Sequence, residues 1–111
     1  MAQRKIGLDQ LIEEVREYMR RVGVRDAVLF GSRARNEHVE DSDVDLILVG
    51  ERFRGTPWLE RLPPLYEAWT LPFYPELLPY TPEEFEKRQQ DSSVVGEAIE
   101  QGIRIREGSD D

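Results

Sequence analysis

The sequence predicts a single domain of the α/β or α+β class. At 111 residues the chain is within the roughly 100–200 residues that one domain occupies. Patterns typical of helices and strands follow one another in the order α-β-α-β-α-β-α-α-β, which favours helices packed on a sheet. No internal repeat or low-complexity linker divides the chain. We therefore expect one domain at residues 1–107, followed by a short acidic tail at residues 108–111.

The composition restricts the chemistry that the chain can perform. It contains no cysteine and one histidine, His38. This excludes thiol catalysis, cysteine-ligated zinc and iron–sulfur clusters, and it disfavours a histidine-based metal site. The net charge of −8 opposes direct binding of nucleic acid, because acidic side chains repel phosphates. The chain also lacks an apolar run of the ~20 residues that span a bilayer, and the N-terminus lacks the pattern of a signal peptide. We expect a soluble, cytoplasmic protein that binds neither membrane nor nucleic acid.

The first half of the chain predicts one long helix and two strands. Apolar residues recur at three- and four-residue steps from Leu8 to Val22, and Gly23 is expected to end this helix. The apolar run AVLF at residues 27–30 predicts a buried strand. A turn and a short helix are expected from Ser32. The β-branched and apolar segment DVDLILVG at residues 43–50 predicts the second strand.

The next segment predicts a helix and an edge strand. Thr56 is a plausible N-cap, and Pro57 suits the first helical position because its missing N–H would have no partner there. The prolines at residues 63–64 are expected to bend or interrupt this helix. Residues 71–80, LPFYPELLPY, predict a third strand, which Pro75 confines to an edge or a bulge.

The C-terminal segment predicts two short helices and a final strand. Thr81 and Glu84 have the spacing of a capping box, which predicts the start of a helix. Asp91 or Ser92 can cap the last helix. The segment IRIRE at residues 103–107 predicts the closing strand.

Two short motifs in the first half indicate chemistry on a nucleoside triphosphate. The first strand runs into Gly31 and Ser32, where a glycine and a following helix N-terminus can form a cradle for phosphate. Asp43 and Asp45 are two residues apart on the second strand, so their carboxylates share a face within ~7 Å of each other. Oxygen ligands of this kind select Mg²⁺, which binds one or two carboxylates together with substrate phosphates.

Around these motifs the sequence resembles a known family. The segment that begins GSRAR and ends DVDLILV is similar to the Gly-Ser-x-Ala-Arg…Ser-Asp-x-Asp signature of DNA polymerase β-like nucleotidyltransferases, and above all to their minimal single-domain branch, the MNT proteins. The resemblance implies their fold, a small mixed sheet flanked by helices. It also implies that Gly31 and Ser32 bind the triphosphate and that Asp43 and Asp45 ligate the metal. The third carboxylate of the family corresponds to Glu76, where aspartate is the common residue.

The resemblance further implies an activity and a partner. The activity is transfer of AMP from ATP to a hydroxyl group, with two Mg²⁺ ions held by Asp43, Asp45 and Glu76. Arg33 and Arg35 follow the phosphate cradle and could neutralise phosphate charge through bidentate contacts. Proteins of this branch are often the antitoxins of HEPN ribonuclease toxins, so a HEPN protein is the expected partner and acceptor.

Other interpretations stay open at this point. The chain could act as an antitoxin mainly by forming a complex, with weak or no catalysis, or it could modify a small molecule. The Gly-Ser pair could be a simple turn, and the Asp-x-Asp pair a solvated start of a strand. Arg33 and Arg35 could be surface charges, and Glu76 an ordinary edge-strand residue.

Overall fold

The computed structural model describes residues 7–31 and 44–108, which follow the order of helices and strands that the sequence predicts. The turn and short helix expected from Ser32 fall outside these residues. In the described part, no helix has the length and apolar character needed to cross a membrane. The helices are α1 (Leu8–Val22), α2 (Trp58–Glu67), α3 (Pro82–Asp91) and α4 (Ser93–Gln101), with a 3₁₀ turn at Glu51–Phe53, and the strands are β1 (Asp26–Phe30), β2 (Val44–Val49), β3 (Pro75–Tyr80) and β4 (Ile103–Arg106).

The four strands form one mixed sheet in the order β3-β2-β1-β4. Strand β1 is antiparallel to both β2 and β4, whereas β2 and β3 are parallel. The end of β1 and the starts of β2, β3 and β4 therefore lie at one edge of the sheet. The predicted small mixed sheet flanked by helices is confirmed, and its strand directions decide which residues meet at that edge.

Helices cover both faces of the sheet. Leu46 and Leu48 of β2 pack in the same cluster as Tyr18 of α1, on the face that α1 and α2 cover. Ile47 lies between them in sequence and packs with Phe85 of α3 on the opposite face. Because successive side chains of a strand point to opposite faces, β2 is buried on both sides. This explains why its sequence is almost continuously apolar.

Strand β3 lies at an edge of the sheet, as Pro75 predicts. It begins at Pro75, so residues 71–74, which were expected to belong to the strand, precede it. The backbone ladder nevertheless extends one residue further, because the N–H of Val44 donates to the carbonyl of Tyr74 at 2.8 Å. Tyr74 is thus aligned with β3 although it stands outside it.

The helix ends follow the predicted capping signals. Gly23 ends α1 in the left-handed conformation, with φ of 73°. Thr81 and Glu84 form the predicted capping box at the start of α3, each side chain accepting a hydrogen bond from the other residue's backbone N–H. Of the two candidates for the last helix, Ser92 is the cap, since its hydroxyl accepts from the N–H of Val95 at 3.2 Å.

Helix α2 differs from the prediction in two respects. Pro57, and not Thr56, occupies the N-cap position, and no side chain caps the helix there. Pro63 and Pro64 lie inside the helix without interrupting it. The carbonyls that lose their donors belong to the exposed first turn, where water can satisfy them. Burial of Leu65 against the core stabilises this helical segment. Local backbone preference alone does not predict that stabilisation.

An ion pair between the buried Arg61 and the partly exposed Glu84 joins α2 to the start of α3. The Arg61 side chain is 6% exposed and donates to both carboxylate oxygens of Glu84, at 2.7 and 3.1 Å. It also donates to the carbonyl oxygens of Pro79 at 2.9 Å and Thr56 at 2.7 Å. Glu84 in turn accepts the backbone N–H of Thr81. The Arg61 guanidinium therefore links α2 to the junction between β3 and α3.

The Arg61–Glu84 pair predicts a loss of stability in acid. Hydrogen bonds from Arg61 lower the pKa of Glu84 from 4.5 to about 2. Because the folded-state pKa is the lower one, the stabilisation by this carboxylate is complete above pH 4.5 and is lost as the pH falls toward 2. We expect the difference in unfolding free energy between the wild type and Glu84→Gln to shrink over that range. Urea titrations at several pH values measure it, and a constant difference would contradict the assignment.

Candidate active site

The candidate site lies at the edge of the sheet where β1 ends and β2 and β3 begin. Gly31 directly follows β1, Asp45 is the second residue of β2, and Glu76 is the second residue of β3. Since β2 lies between β1 and β3, the three residues follow one another across three adjacent strands. We call them the edge triad.

Asp45 and Glu76 are direct neighbours across the parallel pair of strands. Their Cα atoms are register partners, and neighbouring strands are about 4.8 Å apart. Both side chains point to the face covered by α3 and α4, because Ile47 and Leu78, two residues further along each strand, pack there. The fold thus places on one face two carboxylates that are 31 positions apart in the sequence.

Gly31 is in contact with the Asp45 carboxylate in a way that only glycine permits. Its φ is 81°, a left-handed conformation that disfavours residues with a Cβ atom. A Cβ atom at this position would collide with Oδ2 of Asp45 and would lie 3.2 Å from its Cγ. The missing side chain therefore makes space for the Asp45 carboxylate itself, which lies against the Gly31 backbone.

The donor set of the edge triad fits Mg²⁺. Asp45 and Glu76 supply carboxylate oxygens on one face, and Glu76 is exposed at the edge strand, so water and substrate oxygens can complete the coordination of a hard cation. Within residues 7–31 and 44–108 there is no group of three or more metal-ligating side chains. The pair Asp45 and Glu76 is therefore the part of the predicted metal site that the structure describes.

Four predicted site residues fall outside the described part of the chain. They are the proposed phosphate-binding residues Ser32, Arg33 and Arg35 and the proposed metal ligand Asp43. Of the predicted site, the structure brings together Gly31, Asp45 and Glu76, and the roles of all seven residues stay predictions.

Two aromatic residues near the edge triad did not emerge from the sequence. Phe30 is the register partner of Asp45 on β1, and Tyr74 lies two residues before Glu76 and is 80% exposed. The two-residue spacing of Tyr74 and Glu76 was the available signal. It indicates a shared face only once the start and the pairing of β3 are known.

Comparisons with known proteins identify the family and the fold. Residues 8–104 match the family model described as "Nucleotidyltransferase domain". The structure is similar to the crystal structure of a candidate nucleotidyltransferase from Sulfolobus solfataricus, with a TM-score of 0.56 and 15% sequence identity over 87% of this chain and 80% of that chain. At this identity the likeness shows a common fold. A search of curated proteins found no significant match. Since the family model spans nearly the whole chain, the protein belongs to the nucleotidyltransferase domain family.

Proposed function

We propose that the protein transfers AMP from ATP to a hydroxyl group of a partner protein and that it serves as the antitoxin of a HEPN toxin. The observation that carries the catalytic part is the edge triad, in which a glycine and two carboxylates meet across three strands. The resemblance to the MNT proteins supports the partner. General nucleotidyl transfer is the activity of the family, whereas ATP, Mg²⁺ and the protein acceptor are the proposed specifics.

Each residue of the edge triad has a proposed task. Gly31 would bind the triphosphate through its backbone, next to the Ser32 hydroxyl and the Arg33 and Arg35 guanidinium groups that the sequence assigns to phosphate binding. Asp45, together with Asp43, would hold Mg²⁺, which when bound neutralises phosphate charge and stabilises the attacking and leaving oxygens.

The proposed task of Glu76 is to act on the acceptor. Gly31 and Glu76 lie on opposite sides of Asp45 in the sheet, so a triphosphate that rests on Gly31 presents its α-phosphorus to the carboxylates. The acceptor oxygen forms a bond to the α-phosphorus, the bond to the bridging oxygen breaks, and pyrophosphate leaves on the Gly31 side. Glu76 can accept the proton of the acceptor hydroxyl. Its exposure at an edge strand allows a large acceptor such as a protein to approach.

Labelled ATP tests the proposal directly. The protein is incubated with Mg²⁺, ATP labelled at the α-phosphate, and a HEPN protein as the proposed partner. We expect label on the partner with the wild type and a loss of about a hundredfold or more for Asp45→Asn and Glu76→Gln, because both remove a carboxylate from the reacting centre. Glu86→Gln, an exposed carboxylate on α3, is the matched control and should retain activity.

The same experiment separates the alternatives. If no label is transferred, while the wild type and Asp45→Asn form equally tight complexes and inhibit the toxin equally, the protein neutralises its partner by binding and the proposed transfer is wrong. Label on a small alcohol or an aminoglycoside in the absence of any partner would instead support a small-molecule nucleotidyltransferase.

A further inference from the structure

Tyr74 combines high exposure with a place beside the edge triad. Its side chain is 80% exposed, the highest value among the exposed large apolar side chains of the described residues. The other tyrosine with substantial exposure, Tyr66, is 42% exposed and belongs to α2. An aromatic ring open to water next to a pair of carboxylates suits contact with a ligand, because such a ring offers a flat apolar face.

The backbone aligns Tyr74 with Glu76. The hydrogen bond from the N–H of Val44 to the carbonyl of Tyr74 continues the ladder between β2 and β3 by one residue. Side chains two residues apart on an extended chain share a face and are ~7 Å apart. Tyr74 therefore belongs to the face on which Glu76 and Asp45 lie, one step further toward the rim of the sheet.

The chemistry of nucleotidyl transfer indicates which part of the substrate would lie near Tyr74. At the α-phosphorus the attacking and leaving oxygens lie in line, and in the proposed function that line runs across the strands from Gly31 to Glu76. The nucleoside is attached through a third oxygen and must project to one side of the line. Along the strands in one direction, the face is filled by Ile47 and Leu78, which pack against α3 and α4. The other direction leads to the rim and to Tyr74.

We propose that Tyr74 is a nucleotide-binding residue that stacks on the base of the bound nucleoside triphosphate. This inference rests on the proposed function, because it takes the position of the triphosphate from it. In the nucleotide, the ribose lies between the base and the α-phosphate. Tyr74 is likewise set apart from Glu76, because the two residues are two positions apart on the extended chain. Stacking on an aromatic side chain tolerates any base, so this contact alone favours the larger purines and does not distinguish ATP from GTP.

Binding of two Mg²⁺-loaded probes tests the stacking contact. Calorimetric titrations compare α,β-methylene-ATP, which keeps the base and cannot release pyrophosphate, with inorganic triphosphate, which has no base. We expect Tyr74→Ala to weaken binding of the nucleotide analogue about tenfold, the effect of one lost base–aromatic stack, and to leave triphosphate binding unchanged. Tyr74→Phe should bind both probes like the wild type. Tyr66→Ala is the matched control and should bind both like the wild type.

The outcomes separate this inference from the proposed function. Equal weakening of both probes by Tyr74→Ala, or weakening of neither, overturns the stacking contact while triphosphate binding by the wild type leaves the proposed function in place. If Tyr74→Ala raises the KM for the protein acceptor without changing nucleotide affinity, Tyr74 belongs to the acceptor side and the inference is wrong. If the wild type binds neither probe, the proposed function itself fails.

Discussion

A Gly31→Ala variant is expected to lose nucleotidyl transfer by about a hundredfold or more, because misplacement of a reacting group by ~1 Å is enough for such a loss. The added Cβ atom would collide with Oδ2 of Asp45, so the carboxylate must leave its position beside Glu76. The left-handed φ of 81° adds a strain of about 1–2 kcal/mol, which is small enough for the fold to survive. Transfer of labelled AMP measures the loss, and circular dichroism shows whether the helices and the sheet are retained.

Gly23→Ala provides the control for backbone strain. Gly23 has nearly the same φ, 73°, but nothing lies within 4 Å of a Cβ atom placed on it. Both variants should therefore lose the ~1–2 kcal/mol of backbone strain, and Gly31→Ala should lose in addition the cost of displacing Asp45, whereas the loss of activity should be confined to Gly31→Ala. If Gly23→Ala were equally inactive, or if Gly31→Ala kept nearly full activity, the contact between Gly31 and Asp45 would have no catalytic importance.

Replacing Arg61 by alanine is expected to lower the free energy of unfolding by about 2–3 kcal/mol, because a buried guanidinium is removed from carbonyl oxygens and from a partly exposed carboxylate. The loss has two sources. The carbonyl oxygens of Pro79 and Thr56 lose a charged donor, and Glu84 loses both hydrogen bonds from the guanidinium. Urea denaturation at neutral pH measures the change. Arg61→Lys should be intermediate, because a single ammonium group cannot reproduce the planar fork of donors.

Arg54 offers the matched comparison for burial. It also bonds both oxygens of a glutamate on α3, Glu83, and bonds Glu51 as well. Its side chain is 52% exposed, so water screens these pairs and Arg54→Ala should lower the free energy of unfolding far less than Arg61→Ala. Equal losses for Arg54→Ala and Arg61→Ala would show that burial does not decide the strength of these pairs.

Local sequence signals predicted the elements of the fold because those signals act over a few residues. Periodic apolar residues indicated α1, and the capping box at Thr81 and Glu84 marked the start of α3. Of the bend or interruption expected at Pro63 and Pro64, the interruption does not occur, because packing of buried Leu65 overrides the local preference of proline.

The candidate site was only partly accessible from the sequence. The Gly-Ser and Asp-x-Asp motifs pointed to Gly31 and Asp45, and the resemblance to a family pointed to Glu76. The pairing of Asp45 with Glu76 depends on β2 and β3 being parallel neighbours, a long-range property that no local pattern encodes. The alignment of Tyr74 with the carboxylates depends on the same register, so it emerged only from the structure.

The prolines of β3 also restrict the addition of a further strand to this edge of the sheet. The N–H groups of Val44 and Gly50 donate to the carbonyls of Tyr74 and Tyr80, so the even-numbered residues bond to β2 and the odd-numbered ones face away from it. At residues 75 and 79 that outward side has no N–H group, and Arg61 already occupies the carbonyl of Pro79.

Along the open side of β3, Leu77 thus retains the one outward N–H group between Pro75 and Pro79. A strand from a second molecule would find too few donors there to pair, which protects this edge of the sheet from edge-to-edge association. Because these prolines flank Glu76, the carboxylate can stay exposed to an acceptor without making its strand a template for β-sheet association.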